Sequence, residues 1–152
     1  GIVADLGSHM LDLIDWLLGP ISDVSGRAAN HCGEYPAEDQ VSGCFTFASG
    51  VSGVALWDFS GSMERDRTVI RCSGGTVEFS TFDETPVRIL LENKEERLDT
   101  PYPKHVHQGL IEAINEELRG GEPCRSSGVT AARTSRVLEA LLTDYYSTRD
   151  LR

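Results

Sequence analysis

The chain has 152 residues, of which 39% are hydrophobic and 25% are charged, proportions typical of a globular protein with one sizeable core. The formal net charge is −10 and the sequence pI is about 4.8. Such an acidic surface repels phosphate groups, which disfavours nucleic acid and anionic membranes as partners. No apolar run approaches the roughly 20 residues that span a bilayer, and no basic region precedes the first apolar residues, so we expect a cytoplasmic protein.

The cysteine spacing argues against a structural metal or a disulfide framework. The four cysteines lie far apart and form no CxxC pair, whereas structural zinc sites usually draw on closely paired ligands. A chain of this length and composition does not need disulfides to fold. We therefore expect no metal site and four reduced thiols, at Cys32, Cys44, Cys72 and Cys124.

The first periodic segment predicts a helix over residues 5–18, which Gly19 and Pro20 would end. The letters of residues 7–10, GSHM, also match the remnant of a cleaved affinity tag. However, the apolar stripe of the predicted helix runs through them, which favours a native segment. The stripe consists of Leu6, Met10, Leu13, Ile14 and Leu17.

The middle of the chain, residues 21–99, has a different pattern. Short runs rich in β-branched and aromatic residues are broken by Gly, Ser, Asp and Pro, which is typical of strands and turns. The short links at 48–53 and 73–75 indicate hairpins, and the charge run at 92–99 indicates a solvated hairpin. The predicted strands cover residues 23–30, 39–48, 51–60, 67–73, 75–80 and 87–92.

Two amphipathic helices are predicted to follow, over residues 105–119 and 128–147. Helix, consecutive strands and two helices indicate one α+β domain over residues 1–152, with a mainly antiparallel sheet and helices packed on one face. Strands do not alternate with helices, so a doubly wound nucleotide-binding fold is not expected. The other sheet face is left free for a subunit or another domain.

The first helix also carries a group of chemically active side chains. At about 100° per residue, Asp5, His9, Asp12 and Trp16 fall within roughly one-sixth of the helix circumference. An imidazole exchanges protons near neutral pH, and a carboxylate one turn away can orient its ring. The alternative is structural: Asp5 caps the helix, Asp12 is solvated and His9 belongs to an ordinary surface pair.

This segment, DLGSHMLDLIDWLLG, resembles the one that opens the C-terminal domain of the glucose-fructose oxidoreductase and inositol dehydrogenase family, Gfo/Idh/MocA. The segment RCSGGTVEFS is similar to the strand–glycine–strand segment of that family. Residues 107–142, from HQGLIEAINEELRGGEPCR onward, are similar to its closing pair of helices. The resemblance therefore covers nearly the whole chain, and its most specific matches are Asp5, Gly7, Ser8, His9, Asp12, Trp16, Leu17 and Gly19.

The resemblance implies roles for individual residues. The histidine at the position of His9 is the proposed general acid/base that moves the substrate hydroxyl proton during hydride transfer. Asp5 would support it, and Asp12 would lie near the substrate. Independently, strand alternation places Trp57 on one face with Phe59, where it either packs in the core or at a subunit contact, or stacks on a sugar ring.

The resemblance also identifies what this chain lacks. Family members begin with a Rossmann domain that carries GxGxxG and a Glu-Lys-Pro; no GxGxxG occurs here, and neither Lys94 nor Lys104 lies in a Glu-Lys-Pro. The start, GIVA, also reads as the end of a strand or loop that enters a helix. We therefore expect the chain to be part of a longer protein whose missing Rossmann domain binds NAD or NADP, and we expect the chain alone to be inactive.

The first functional hypothesis is a substrate-binding and oligomerisation domain. The parent would be an NAD(P)-dependent oxidoreductase acting on a sugar, polyol or related hydroxylated substrate, and it would form a homodimer or homotetramer through the free sheet face. The alternative is a non-catalytic ligand-binding or assembly module of the same fold. An isomerase or hydrolase variant of the family is a third hypothesis.

Overall fold

The computed structural model describes residues 1–62 and 65–148, and its strands divide between two compact units. The first unit comprises residues 1–62 and 126–148, and the second comprises residues 65–125. The elements are a π-helical segment Val3–Gly7, α1 Ser8–Leu18, β1 Ile21–Ala29, β2 Gln40–Phe47, β3 Ser52–Asp58, β4 Thr68–Cys72, β5 Gly75–Phe79, β6 Val87–Leu91, β7 Lys94–Leu98, α2 Gln108–Leu118 and α3 Gly128–Ser147.

The predicted α+β class is confirmed, and the strand pairs of the described residues are all antiparallel. The strands form two sheets, β1-β2-β3 in the first unit and β4-β5-β6-β7 in the second. The prediction that residues 1–152 form one domain remains a prediction. Within the described part of the chain, no helix is both long enough and apolar enough to pass through a bilayer.

The core of the first unit lies on one face of its three-stranded sheet. In β2, alternate side chains are buried at Val41, Phe45 and Phe47 and exposed at Cys44 and Thr46, the period-two pattern of a half-covered strand. The buried face is completed by α1 and α3, whose apolar side chains join the same cluster. The outer face of this sheet is therefore not covered by these helices.

The long helix α3 occupies the predicted residues 128–147. Its start is fixed by a capping box: the Ser127 hydroxyl accepts the Thr130 N–H, and the Thr130 hydroxyl accepts the Ser127 N–H. Its buried stripe packs on the sheet through Val137, Leu141 and Leu142. The predicted bounds are thus confirmed by both the stripe and the cap.

The second unit is an antiparallel meander with α2. The charge run at 92–99 contains β7, which pairs with β6 as the second arm of a hairpin. None of the side chains described between 65 and 125 is fully buried. The apolar stripe of α2 is exposed at Leu110, Ile111, Ile114 and Leu118.

The buried face of α1 differs from the predicted stripe. Leu11 is fully buried although the prediction omitted it, while Leu17 is exposed although the prediction included it. The two patterns differ within α1 itself, where Leu11, Ile14 and Asp15 form the buried face and Leu17 lies near the exposed end of the helix. Only Ile14 of the predicted stripe is fully buried.

Candidate functional site

The candidate residues lie where the π-helical segment Val3–Gly7 continues into α1. Asp5 lies in the π-helical segment, and its carbonyl oxygen accepts a hydrogen bond from the Ser8 hydroxyl at 2.5 Å. His9 lies in the first turn of α1. Single π-helical turns are frequent at functional sites, so the backbone here, like the sequence, indicates a functional role for the region of Asp5 and His9.

The four predicted residues of this helix differ in their environments. Asp5, His9 and Trp16 are exposed, and Asp12 is half-buried. The helical wheel holds only from Ser8 onward, so it keeps His9, Asp12 and Trp16 on one face of α1 and does not fix Asp5. An exposed imidazole at this position can reach a ligand in solution.

Asp12 contacts the neighbouring helix. Its Oδ1 accepts a hydrogen bond from the Thr134 hydroxyl of α3 at 3.2 Å, and Thr134 is buried. The bond orients the carboxylate one turn after His9. Asp12 therefore has a packing role in addition to any contact with a ligand.

Trp57 packs beneath the start of the helix. Its ring stands edge-on to Phe45, with ring centroids 6.3 Å apart and an interplanar angle of 84°. A Cβ added at Gly7 would lie 3.5 Å from Trp57 Cε2, so the indole approaches the backbone midway between Asp5 and His9. Trp57 is half-buried against the core, which agrees with the packing interpretation of this residue.

An ion pair that the sequence analysis missed holds α1 against α3. Arg133 donates from Nη2 to Asp15 Oδ2 at 2.6 Å and from Nε to Asp15 Oδ1 at 3.1 Å. The Asp15 side chain is only 5% exposed, while that of Arg133 is 33% exposed. The hydrogen bonds to Asp15 raise the pKa of Arg133, so the guanidinium keeps its charge. It fixes the helix that carries His9.

The described residues do not form a pyrophosphate site of the Rossmann type. Pyrophosphate sites of the Rossmann type need a parallel βαβ unit with a glycine-rich turn at a helix N-terminus. The described strands pair only in antiparallel fashion, and the sequence has no GxGxxG. In the described ranges no group of three or more His, Cys, Asp or Glu side chains is placed to hold a metal ion.

Comparison with known proteins identifies the family. The family model described as GFO/IDH/MocA C-terminal domain matches residues 1–78. A curated relative, Oxidoreductase P35 of Formosa agariphila, is 26% identical over 113 residues, which cover 74% of this chain and 34% of the relative. The chain thus spans about one third of that relative.

Solved structures share the fold at low sequence identity. An oxidoreductase from Agrobacterium radiobacter in complex with NAD+, L-tartaric acid and magnesium has a TM-score of 0.78 and 18% identity, over 99% of this chain and 47% of its own. The aldose-aldose oxidoreductase from Caulobacter crescentus complexed with glycerol has a TM-score of 0.75 and 21% identity, over 100% and 46%. The chain spans about half of each of these proteins. By the match over its first 78 residues, this chain belongs to the Gfo/Idh/MocA C-terminal domain family.

Proposed function

We propose that this chain is the substrate-binding and oligomerisation domain of an NAD(P)-dependent oxidoreductase that acts on a sugar, polyol or related hydroxylated compound. The observation that carries the proposal is the exposed His9 at the junction of the π-helical segment and α1, in a chain of this oxidoreductase-associated family. Two proteins of similar fold support the proposal. One was solved with NAD+, L-tartaric acid and magnesium, and the other with glycerol, so both hold a hydroxylated ligand.

In this proposal His9 holds or moves the proton of the substrate hydroxyl. Asp5, one turn earlier, orients the imidazole, and a carboxylate is suited to that role because it selects the ring tautomer. Asp12 accepts a hydrogen bond from a substrate hydroxyl at Oδ2, because the Thr134 hydroxyl contacts Oδ1. Trp57 supports the site from below and offers its flat face to sugar C–H groups where the ring is accessible.

The hydride chemistry lies outside this chain. NAD or NADP, when bound to the protein, supplies hydride transfer at the substrate carbon. The dinucleotide would be held by a Rossmann domain joined to this domain. Residues 1–152 alone are therefore expected to show no turnover, and oxidation of NADH or NADPH by the purified chain would contradict this expectation.

The assembly is proposed to be a homodimer or homotetramer. The outer face of the three-stranded sheet exposes Val54 and Leu56 next to Cys44, and this face would contact a second copy. Exposed contiguous apolar side chains of this kind mark interaction surfaces. Closed symmetric assembly through one self-complementary patch is the commonest arrangement for soluble homo-oligomers.

The test is turnover by the protein encoded by the whole reading frame that contains this chain. NAD+ and NADP+ reduction is measured with a panel of aldoses, polyols and sugar acids. In the His9→Asn variant we expect kcat to fall by about 100-fold or more, in line with the loss of a general acid/base. Binding of the dinucleotide, followed by fluorescence, should be unchanged. His105→Asn, at an exposed histidine of the second unit, serves as the matched control.

Two results would overturn the proposal in different ways. Unchanged turnover in His9→Asn removes His9 from the mechanism. Binding of hydroxylated ligands without any reduction of NAD+ or NADP+ favours the non-catalytic module instead.

A further inference from the structure

Glu38 is an acidic side chain with no contact with solvent, in the loop between β1 and β2. It is 0% exposed, and its Oε2 accepts the Tyr146 hydroxyl of α3. Its Oε1 forms an ion pair at 3.5 Å with the amino nitrogen of Gly1, the first residue of this sequence, and has no hydrogen-bond partner among the described residues. A buried carboxylate is unfavourable unless its surroundings compensate the charge, so the site calls for an explanation.

The carboxylate lies at the start of the helix that carries the candidate site. Helical backbone begins at Ile2, continues through the π-helical segment and passes into α1. Glu38, from another part of the chain, places its carboxylate against the Gly1 backbone that leads into this helix.

The contact between Glu38 and the helix start is close. A Cβ added at Gly1 would overlap the Glu38 carboxylate, so the backbone is pressed directly against it. Burial and the bond to Glu38 raise the pKa of Tyr146 to about 12, so its hydroxyl remains a donor at physiological pH. The carboxylate is thus held on one side by α3 and meets the helix start on the other.

The loop that presents Glu38 is itself held in place. The buried Asp39 carboxylate accepts the backbone N–H groups of His31 and Cys32 at 2.7–2.9 Å, and these bonds lower its pKa. The Tyr145 hydroxyl donates to the Pro36 carbonyl at 3.0 Å. These hydrogen bonds fix the loop that presents Glu38.

We propose that Glu38 is a positioning residue for the candidate site: held by Tyr146, it fixes the start of the helix that carries Asp5 and His9. Asp5 is four residues after Gly1 and His9 is eight, so a displaced helix start moves both side chains. The role in catalysis rests on the function proposed above, whereas the anchoring of the helix does not.

The experiment uses Glu38→Gln and Tyr146→Phe in the protein encoded by the whole reading frame. Glu38→Gln keeps the shape of the side chain and removes its charge. Tyr146→Phe, on α3, removes the hydroxyl donor and changes no residue of the helix that carries Asp5 and His9. Glu34→Gln, an exposed carboxylate of the same loop, is the matched control. Amide hydrogen exchange of residues 3–9 reports on anchoring, and steady-state kinetics report on catalysis.

We expect exchange of residues 3–9 to rise about tenfold in both variants, with β2 unchanged and the control like wild type. We expect kcat to fall about tenfold with little change in KM for the dinucleotide, since misplacement of a proton-transfer group affects the chemical step. Exchange and kcat of the double variant should match those of the stronger single variant, because both changes remove the same contact between Tyr146 and Glu38.

Unchanged exchange at residues 3–9 overturns the proposal, as does an equal rise across β2, which indicates general destabilisation. Faster exchange with unchanged kcat in an active enzyme overturns the catalytic role. Absence of any dinucleotide-dependent turnover in the wild type instead refutes the proposed function, and the exchange data still decide whether Glu38 anchors the helix.

Discussion

At the scale of single residues, we expect the two partners of the Asp15–Arg133 ion pair to differ in how much their substitution destabilises the protein. Arg133→Gln leaves the Asp15 carboxylate, 5% exposed, without its counter-charge, whereas Asp15→Asn leaves a guanidinium that is 33% exposed and can be hydrated. We expect Arg133→Gln to lower Tm by about 5 °C and Asp15→Asn to lower it by less. Thermal unfolding of both variants and of the double variant measures this, and equal losses from the two single changes would contradict it.

A second residue-scale prediction concerns Gly43, which is buried opposite α3. A Cβ at Gly43 would lie 2.9 Å from both Leu141 Cδ2 and Phe45 Cζ, closer than packed atoms allow. We expect Gly43→Ala to cost about 1–3 kcal/mol of unfolding free energy, the range for overpacked cores. Denaturant unfolding measures the loss.

The matched control for Gly43→Ala is Gly53→Ala on β3, where the nearest atom to an added Cβ is 3.7 Å away. The cost of Gly43→Ala should also shrink in a Leu141→Ala background, because that change removes one of the two clashing atoms. If the cost of Gly43→Ala is the same with Leu141 present and in the Leu141→Ala background, contact with the Leu141 side chain does not cause the loss of stability.

Residue-scale prediction from the sequence succeeded for apolar strand positions and failed for buried charges. The alternation in β2 follows directly from residue type, since an apolar side chain on a half-covered strand gains by burial. Asp15 and Glu38 are buried only because Arg133 and Tyr146, more than 100 positions away, reach them. Local spacing holds no information about such partners, so the sequence analysis singled out neither carboxylate.

At the scale of elements, α3 could be predicted from its apolar stripe, and the structure adds a capping box at Ser127 that fixes its start. The π-helical segment could not, since no residue type marks an i→i+5 turn. For this reason the wheel cannot place Asp5 with His9. The hairpin predicted at residues 92–99 contains β7, although this segment was not among the predicted strands because four of its five residues are charged.

A charge ladder crosses the sheet of the second unit. Arg67 donates to Glu78 at 2.8 Å, and Arg88 donates to Glu78 at 3.3 Å and to Glu95 at 3.1 Å. Arg97 donates to the same Glu95 oxygen at 2.9 Å. Hydrogen bonds from Arg88 and then Arg97 lower the pKa of Glu95 to about 2, and the bond from Arg67 lowers that of Glu78. The strands β5, β6 and β7 are thus tied together by charged side chains.

The ladder makes stability depend on pH in a defined window. The folded-state pKa of Glu95 lies below its unfolded value, so the unfolded state binds more protons and stability falls as pH drops from about 4.5 toward about 2. We expect Glu95→Gln to be less stable than wild type at neutral pH and the difference to vanish at the acid end. The test is to measure unfolding of both proteins between about pH 4.5 and about pH 2, with Glu92→Gln, at an exposed glutamate, as the control. A pH-independent difference would contradict the assignment.

At the scale of the whole molecule, apolar surface remains uncovered in each unit. The outer face of the first sheet exposes Val54 by 83% and Leu56 by 64%, and in the second unit α2 exposes its apolar stripe. Monomeric proteins rarely leave such patches open to water. The sequence predicted a free sheet face from the order of elements, because helices packed on one face of a sheet leave the other face uncovered.

The final prediction tests whether a second copy covers the sheet face. On the proposed homo-oligomer, Val54→Lys combined with Leu56→Lys places two ammonium groups at the contact, where their desolvation and mutual repulsion across the symmetry axis oppose association. We expect light scattering coupled to size exclusion to show the mass falling to that of a single chain, with the circular dichroism spectrum unchanged. Val129→Lys, at an exposed apolar residue of α3, should keep the wild-type mass. A double variant that stays oligomeric would assign assembly to another surface, and a wild type that is monomeric at all concentrations would refute the oligomer itself.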